Sequence, residues 1–176
     1  MRKKILISFS IISSLVFILF IVFNFMIFPT NYKNYVLIYS KKYNLEPALV
    51  YAVIKTESNF DTKAKSSSNA RGLMQIIPLT AKWIASEFNE EYSEEKLYDA
   101  ETNIKYGCFY LNYLYEKLNN MDAVICAYNA GETVVKNWLD NTGNVIAEKI
   151  SYSETKNYYK KVKGYYSIYK HKEICE

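Results

Sequence analysis

Between Ala100 and Leu118, the residues Ile104, Gly107, Cys108, Leu111, Leu114, Tyr115 and Leu118 recur at three- and four-residue spacing. That periodicity predicts one long amphipathic helix, whose apolar face must be buried against other elements. The flanking segments carry the same signal. A helix is expected from about Tyr32 to Tyr39, extending towards Lys42. Asn44, Leu45, Glu46 and Pro47 then make a break, and Pro47 suits the first turn of a new helix because its missing N–H is not needed there. Leu49, Val50, Val53 and Ile54 follow at helical spacing, in a helix ending near Thr56 to Asn59. Further helices are expected over Pro78 to Phe88, Ala123 to Ala130, Val134 to Leu139 and Ser153 to Tyr169. Asp122 is a candidate N-cap and Gly131 a candidate C-terminal stop. No strand-rich region, repeat or low-complexity linker interrupts the series, so the fold class is all-α.

The first thirty residues are of another kind. Arg2, Lys3 and Lys4 precede a stretch from Ile5 to Phe28 without a charged residue. As a helix this run would be about 36 Å long, against a hydrocarbon core of about 30 Å. No small-residue cleavage pattern follows, so residues 1–30 read as an uncleaved transmembrane signal anchor, a cleaved signal peptide being the alternative. The positive-inside rule would hold the three cations in the cytoplasm and residues 31–176 on the extracytoplasmic side. Those remaining residues suffice for one domain with its own core.

The net charge of +4 includes the three N-terminal cations, leaving about +1 for the rest. That is poor support for nucleic-acid binding. Cys108, Cys126 and Cys175 form no CxxC pair, and the single histidine is His171. No metal site or cofactor is expected. Cys108 and Cys126 fall on the apolar faces of two expected helices, as buried thiols or as a disulfide pair. The 18 tyrosines suit packing first, and sugar binding second.

Glu57 is the anomaly. It lies four residues after Val53 and three after Ile54, so the apolar stripe of its helix runs directly into a carboxylate. Burial without a cationic partner raises a carboxyl pKa, and the partial negative charge of a helix C-terminus acts in the same direction. Both effects favour a general acid. The pattern alone equally fits a residue fraying into solvent at a helix end. Downstream, Gly72 allows close backbone approach to a ligand, and Gln75 offers both a donor and an acceptor. Tyr128 and Asn129 stand at a helix end, where packing and capping compete with substrate contact. Asp61 is the nearest alternative second carboxylate, but it lies in a polar loop and is expected to be solvated.

The stretches "ESNF", "ARGLMQIIPLTA", "NIKYGCFYL", "AYNAG" and "ETKNYYKKV" occur in the order seen in the soluble-lytic-transglycosylase-like (SLT) family, relatives of goose-type lysozyme. The chain resembles that family over about residues 40–170. The resemblance implies a lysozyme-like helical fold with a glycan cleft, and cleavage of the β-1,4 bond between N-acetylmuramic acid and N-acetylglucosamine in peptidoglycan. It implies Glu57 as the single catalytic acid/base. It also implies Ser66 as a loop serine near that carboxylate, Gln75, Tyr128 and Asn129 as cleft residues, and Tyr158 as a tyrosine reaching the site from the last helix. Asn69, Arg71, Ile77, Cys108 and Cys126 depart from residues usual in the family. The expected function is that of a membrane-anchored lytic transglycosylase. A hydrolytic lysozyme on the same fold and a non-catalytic peptidoglycan-binding protein are the alternatives.

Overall fold

The computed structural model describes residues 13–17, 27–145 and 149–172. The chain divides into two units, Met1–Asn31 and Tyr32–Glu176. In the first, residues 13–17 are helical and exposed. Most of the expected membrane helix, and Cys175 in the second unit, lie outside the described residues. Among the described residues, no helix is long and apolar enough to cross a membrane.

The second unit is helical: α1 (Lys33–Lys42), α2 (Pro47–Glu57), α3 (Pro78–Glu87), α4 (Ala100–Leu118), α5 (Met121–Ala130), α6 (Glu132–Lys136) and α7 (Ser153–Lys170), with a 3-10 turn at Glu95–Tyr98 before α4. The only extended pairings among the described residues are isolated bridges, such as Lys65 with Arg71 and Arg71 with Ile76. The all-α expectation holds, and five of the expected helices fall within a residue or two of their observed ends. The small differences have local causes. Asn120, not Asp122, caps α5, its side chain accepting from the Ala123 amide at 3.0 Å. The helix expected over residues 134–139 is α6, which starts earlier and stops before Trp138.

Helix α2 is central. Every residue from Ala48 to Ile54 is buried, so it is apolar all round, not striped as its spacing suggested. Its most extensive helical neighbour is α7, where Tyr51 stacks on Tyr169 with ring centroids 5.2 Å apart. The face of α4 buries Ile104, Cys108, Leu111, Leu114 and Leu118 as expected. Tyr115 is the exception, 40% exposed, because it borders an open cavity of about 380 Å³ shared with Leu45, Leu49, Met121 and Ile125. Cys108 and Cys126 are both buried and free, so no disulfide joins them.

One loop decides where the site is built. Residues 58–76 leave α2 and return past it, held at three points. Ser58 Oγ donates to the Leu73 carbonyl at 2.8 Å. Asn103 of α4 is buried and uses its whole amide: Oδ1 accepts from the Met74 amide at 2.7 Å, and Nδ2 donates to the Arg71 and Leu97 carbonyls at 2.9 and 2.7 Å. Arg71 pairs with Glu94 and donates to Asn69 Oδ1 at 3.0 Å. Asn69 and Arg71, the two departures in this loop, are thus one coupled unit. Gly72 has φ +74, and a Cβ there would lie 2.1 Å from the Leu97 carbonyl oxygen and 2.4 Å from Asn103 Nδ2. The close approach this glycine permits is therefore to the protein itself, not to a ligand.

Candidate active site

Glu57 is the last residue of α2, beyond a buried turn and ahead of Ser58. Its carboxyl pKa is pushed up to about 7 by loss of hydration, with a smaller upward push from Glu154. The Tyr158 hydroxyl acts in the opposite direction. No cation appears among these influences. The residue as a whole retains intermediate exposure, so the acid is desolvated without being sealed.

Tyr158 comes from α7 and is 7% exposed. Its hydroxyl is buried and has no partner in hydrogen-bond geometry, although it is near enough to Glu57 to influence its titration. Burial and the neighbouring Glu57 charge push the Tyr158 phenol well above its ordinary value, as they do that of Tyr128. Both phenols therefore stay protonated as donors near neutral pH. Tyr128 Oη donates to the Met74 carbonyl at 2.8 Å, linking α5 to the loop.

Gln75, Tyr128 and Asn129 line one cavity of about 280 Å³, with Ile76, Ile77, Thr80, Tyr110, Ala130 and Gly131. Three of the expected cleft residues are thus brought together. Ile77, flagged as a departure, supplies part of the apolar wall and is 40% exposed. Aromatic contacts lead away from this cavity: Tyr128 meets Tyr110 at 5.5 Å, Tyr110 stacks on Tyr113 at 6.3 Å, and Tyr113 meets Trp83 at 4.7 Å. Gln75 has φ +49 and is more committed than expected, since its Nε2 donates to the Ala64 and Gly72 carbonyls at 3.1 and 2.9 Å. Ser66 is also engaged locally, its Oγ accepting the Ala70 amide at 3.1 Å within the loop. Asp61 is exposed and accepts the Lys63 amide at 2.8 Å.

Several supporting residues lay unread inside the motifs. Thr155 of α7 is buried and donates to Asn129 Oδ1 at 2.7 Å. Asn103 could have been suspected, because it sits four residues before Gly107 on the buried side of α4. Glu154, not Asp61, is the second carboxylate whose field reaches Glu57. Its proximity depends on the docking of α7, which no local pattern near Glu57 encodes. No group of His, Cys, Asp or Glu able to hold a metal ion occurs among the described residues.

Comparison with known proteins places this arrangement. The chain is 35% identical over 152 residues to a soluble lytic murein transglycosylase of Salmonella typhimurium, covering 82% of this chain and 24% of that protein. It is 38% identical over 103 residues to membrane-bound lytic murein transglycosylase C of Serratia proteamaculans, covering 52% of this chain and 29% of that protein. Among solved structures it resembles an inactive glutamate-to-glutamine mutant of the lytic transglycosylase Slt from Pseudomonas aeruginosa. The TM-score is 0.76 and the identity 31%, over 82% of this chain and 25% of that one. The chain therefore spans about a quarter of the length of these relatives. Residues 34–151 match the family model for the transglycosylase SLT domain. This match, with the identity to the relatives above, shows that the chain belongs to the transglycosylase SLT domain family.

Proposed function

We propose that this protein is a peptidoglycan lytic transglycosylase in which Glu57 is the single acid/base. The observation that carries the reading is a carboxyl with its pKa near 7 on a desolvated helix end, whose charge reaches Tyr128 in the lining of the neighbouring cavity. Such a group holds a proton at neutral pH and releases it readily, as a general acid must. Most glycosidases use a second carboxylate as nucleophile or base. Here Asp61 is solvated and Glu154 is exposed, acting on Glu57 through its charge. A substrate-supplied nucleophile removes the need for either.

In that mechanism Glu57 gives its proton to the glycosidic oxygen as the bond to C1 of N-acetylmuramic acid breaks. The substrate's own N-acetyl group stabilises the positive charge at C1. Glu57, now a carboxylate, takes the proton of the C6 hydroxyl as O6 bonds to C1. The products are a 1,6-anhydromuramic end and a free N-acetylglucosamine hydroxyl. Water is not consumed, and Glu57 ends protonated. Gln75, Tyr128, Asn129 and Tyr158 line or face the site, with Ser66 in the loop beside it. The uncharged run from Ile5 to Phe28 would tether this domain to the outer face of the membrane.

Mass spectrometry of digested sacculi tests the reading. Wild-type protein should release muropeptides with anhydro ends, and Glu57→Gln should release none. Ordinary reducing ends would make the enzyme a hydrolase and refute the cyclisation step. Clearing by Glu57→Gln would remove Glu57 from the mechanism.

A further inference from the structure

The cleft cavity contains two side-chain amides, Gln75 and Asn129, and each is half used by the protein. The used halves are opposite. Gln75 spends both N–H bonds of Nε2 on the Ala64 and Gly72 carbonyls, which leaves Oε1 as an acceptor. Asn129 spends Oδ1 on the Thr155 hydroxyl, which leaves Nδ2 as a donor. Thr155 is 2% exposed. A buried hydroxyl must place its proton on an acceptor, and here that acceptor is Asn129 Oδ1; turning the amide over would let Nδ2 donate to Oγ1 but would take this acceptor from the hydroxyl proton. The rest of the wall is mixed, and Thr80 adds a hydroxyl-bearing side chain to it. Ile76, Ile77 and Tyr110 present apolar surface, and the Tyr128 hydroxyl is spent on the Met74 carbonyl.

The Gln75 acceptor, the Asn129 donor and the apolar part of the wall at Ile76, Ile77 and Tyr110 match a secondary amide carrying a small alkyl group. Its N–H suits Gln75 Oε1, its carbonyl suits Asn129 Nδ2, and its methyl suits the wall. A primary ammonium would satisfy Gln75 but leave Asn129 facing a cation with no acceptor. We propose that Thr155 is a positioning residue, holding Asn129 with its amide donor toward the cleft so that Asn129 and Gln75 together select an N-acetamido group. This rests on the glycan reading above and assigns the selectivity to a buried residue of α7 lying outside the cavity lining.

Binding in the Glu57→Gln background, where no turnover occurs, tests the assignment. The probes are the β-1,4-linked N-acetylglucosamine tetramer and the corresponding glucosamine tetramer, titrated calorimetrically. Thr155→Val should weaken the acetylated tetramer about 5- to 10-fold, the equivalent of one hydrogen bond, and leave the glucosamine tetramer unchanged. Thr155→Ser, which keeps the hydroxyl, should restore the parent affinity. Equal loss on both tetramers would reduce Thr155 to a packing role and overturn the proposal. So would unchanged affinity in Thr155→Val, failure of the serine variant to restore binding, or no selective binding by the parent. The enzymatic reading fails separately, if wild-type protein releases no muropeptides while tetramer selectivity and its loss in Thr155→Val persist.

Discussion

Replacing Glu57 with glutamine should abolish activity and, above neutral pH, make the protein more stable. In the folded chain the carboxyl titrates near 7, against 4.5 for an unperturbed glutamate. Between those values the folded state retains a proton that the unfolded state has lost. Stability therefore falls as pH rises through this window, and the whole penalty is present above pH 7. The full difference corresponds to roughly 3 kcal/mol at about 1.4 kcal/mol per pKa unit. Glu57 keeps some contact with solvent, so about 1–2 kcal/mol is the expected realised cost. Glutamine has nearly the same shape and no charge to desolvate. Urea unfolding of wild type and Glu57→Gln at about pH 4 and pH 8 measures the difference. The two curves should nearly coincide at the lower pH, and the variant should gain about 1–2 kcal/mol at the higher one, or several degrees in Tm. A gain independent of pH, or a loss at pH 8, would refute the view that desolvation sets the proton affinity of this acid.

Two further substitutions probe the surroundings of Glu57. Tyr158→Phe removes a hydroxyl that lowers the Glu57 pKa, so the alkaline limb of the pH–rate profile should move to higher pH, and by the same linkage the desolvation penalty should be complete only at a higher pH and be larger above it; a limb moving to lower pH would reverse the assigned role. Gly72→Ala forces a Cβ against the Leu97 carbonyl and Asn103 at a positive φ, and should cost about 3 kcal/mol or more in urea unfolding; a wild-type midpoint would show that the loop yields freely.

What the sequence reveals here depends on the range of the signal. Helices such as α4 and α7 are legible because their apolar spacing and end residues are local. Glu57 stands out because a carboxylate ending an apolar stripe is a local contradiction. Gly72 also stands out, but its reason is not local: the groups it makes room for, Leu97 and Asn103, lie 25 and 31 positions further along. Gln75 reads as a residue with four hydrogen-bonding capacities, and only the loop's return to Ala64 shows that the donors are spent. Thr155 is the extreme case. A threonine in the first turn of a helix is unremarkable until α7 docks against the end of α5.

The meeting of α2, α5 and α7 also has a consequence in time. Glu57, Asn129 and Thr155 with Tyr158 come from widely separated parts of the chain, and the most extensive helix contact in the domain joins α2 to α7. A ribosome delivers the acid long before the helix that carries Glu154 and Tyr158 to it. A nascent chain still lacking α7 carries Glu57 without its neighbours Glu154 and Tyr158, and Tyr51 without Tyr169. The acid meets these two opposing neighbours only when α7 docks, so the last element of the site to be made is the one that finishes tuning it.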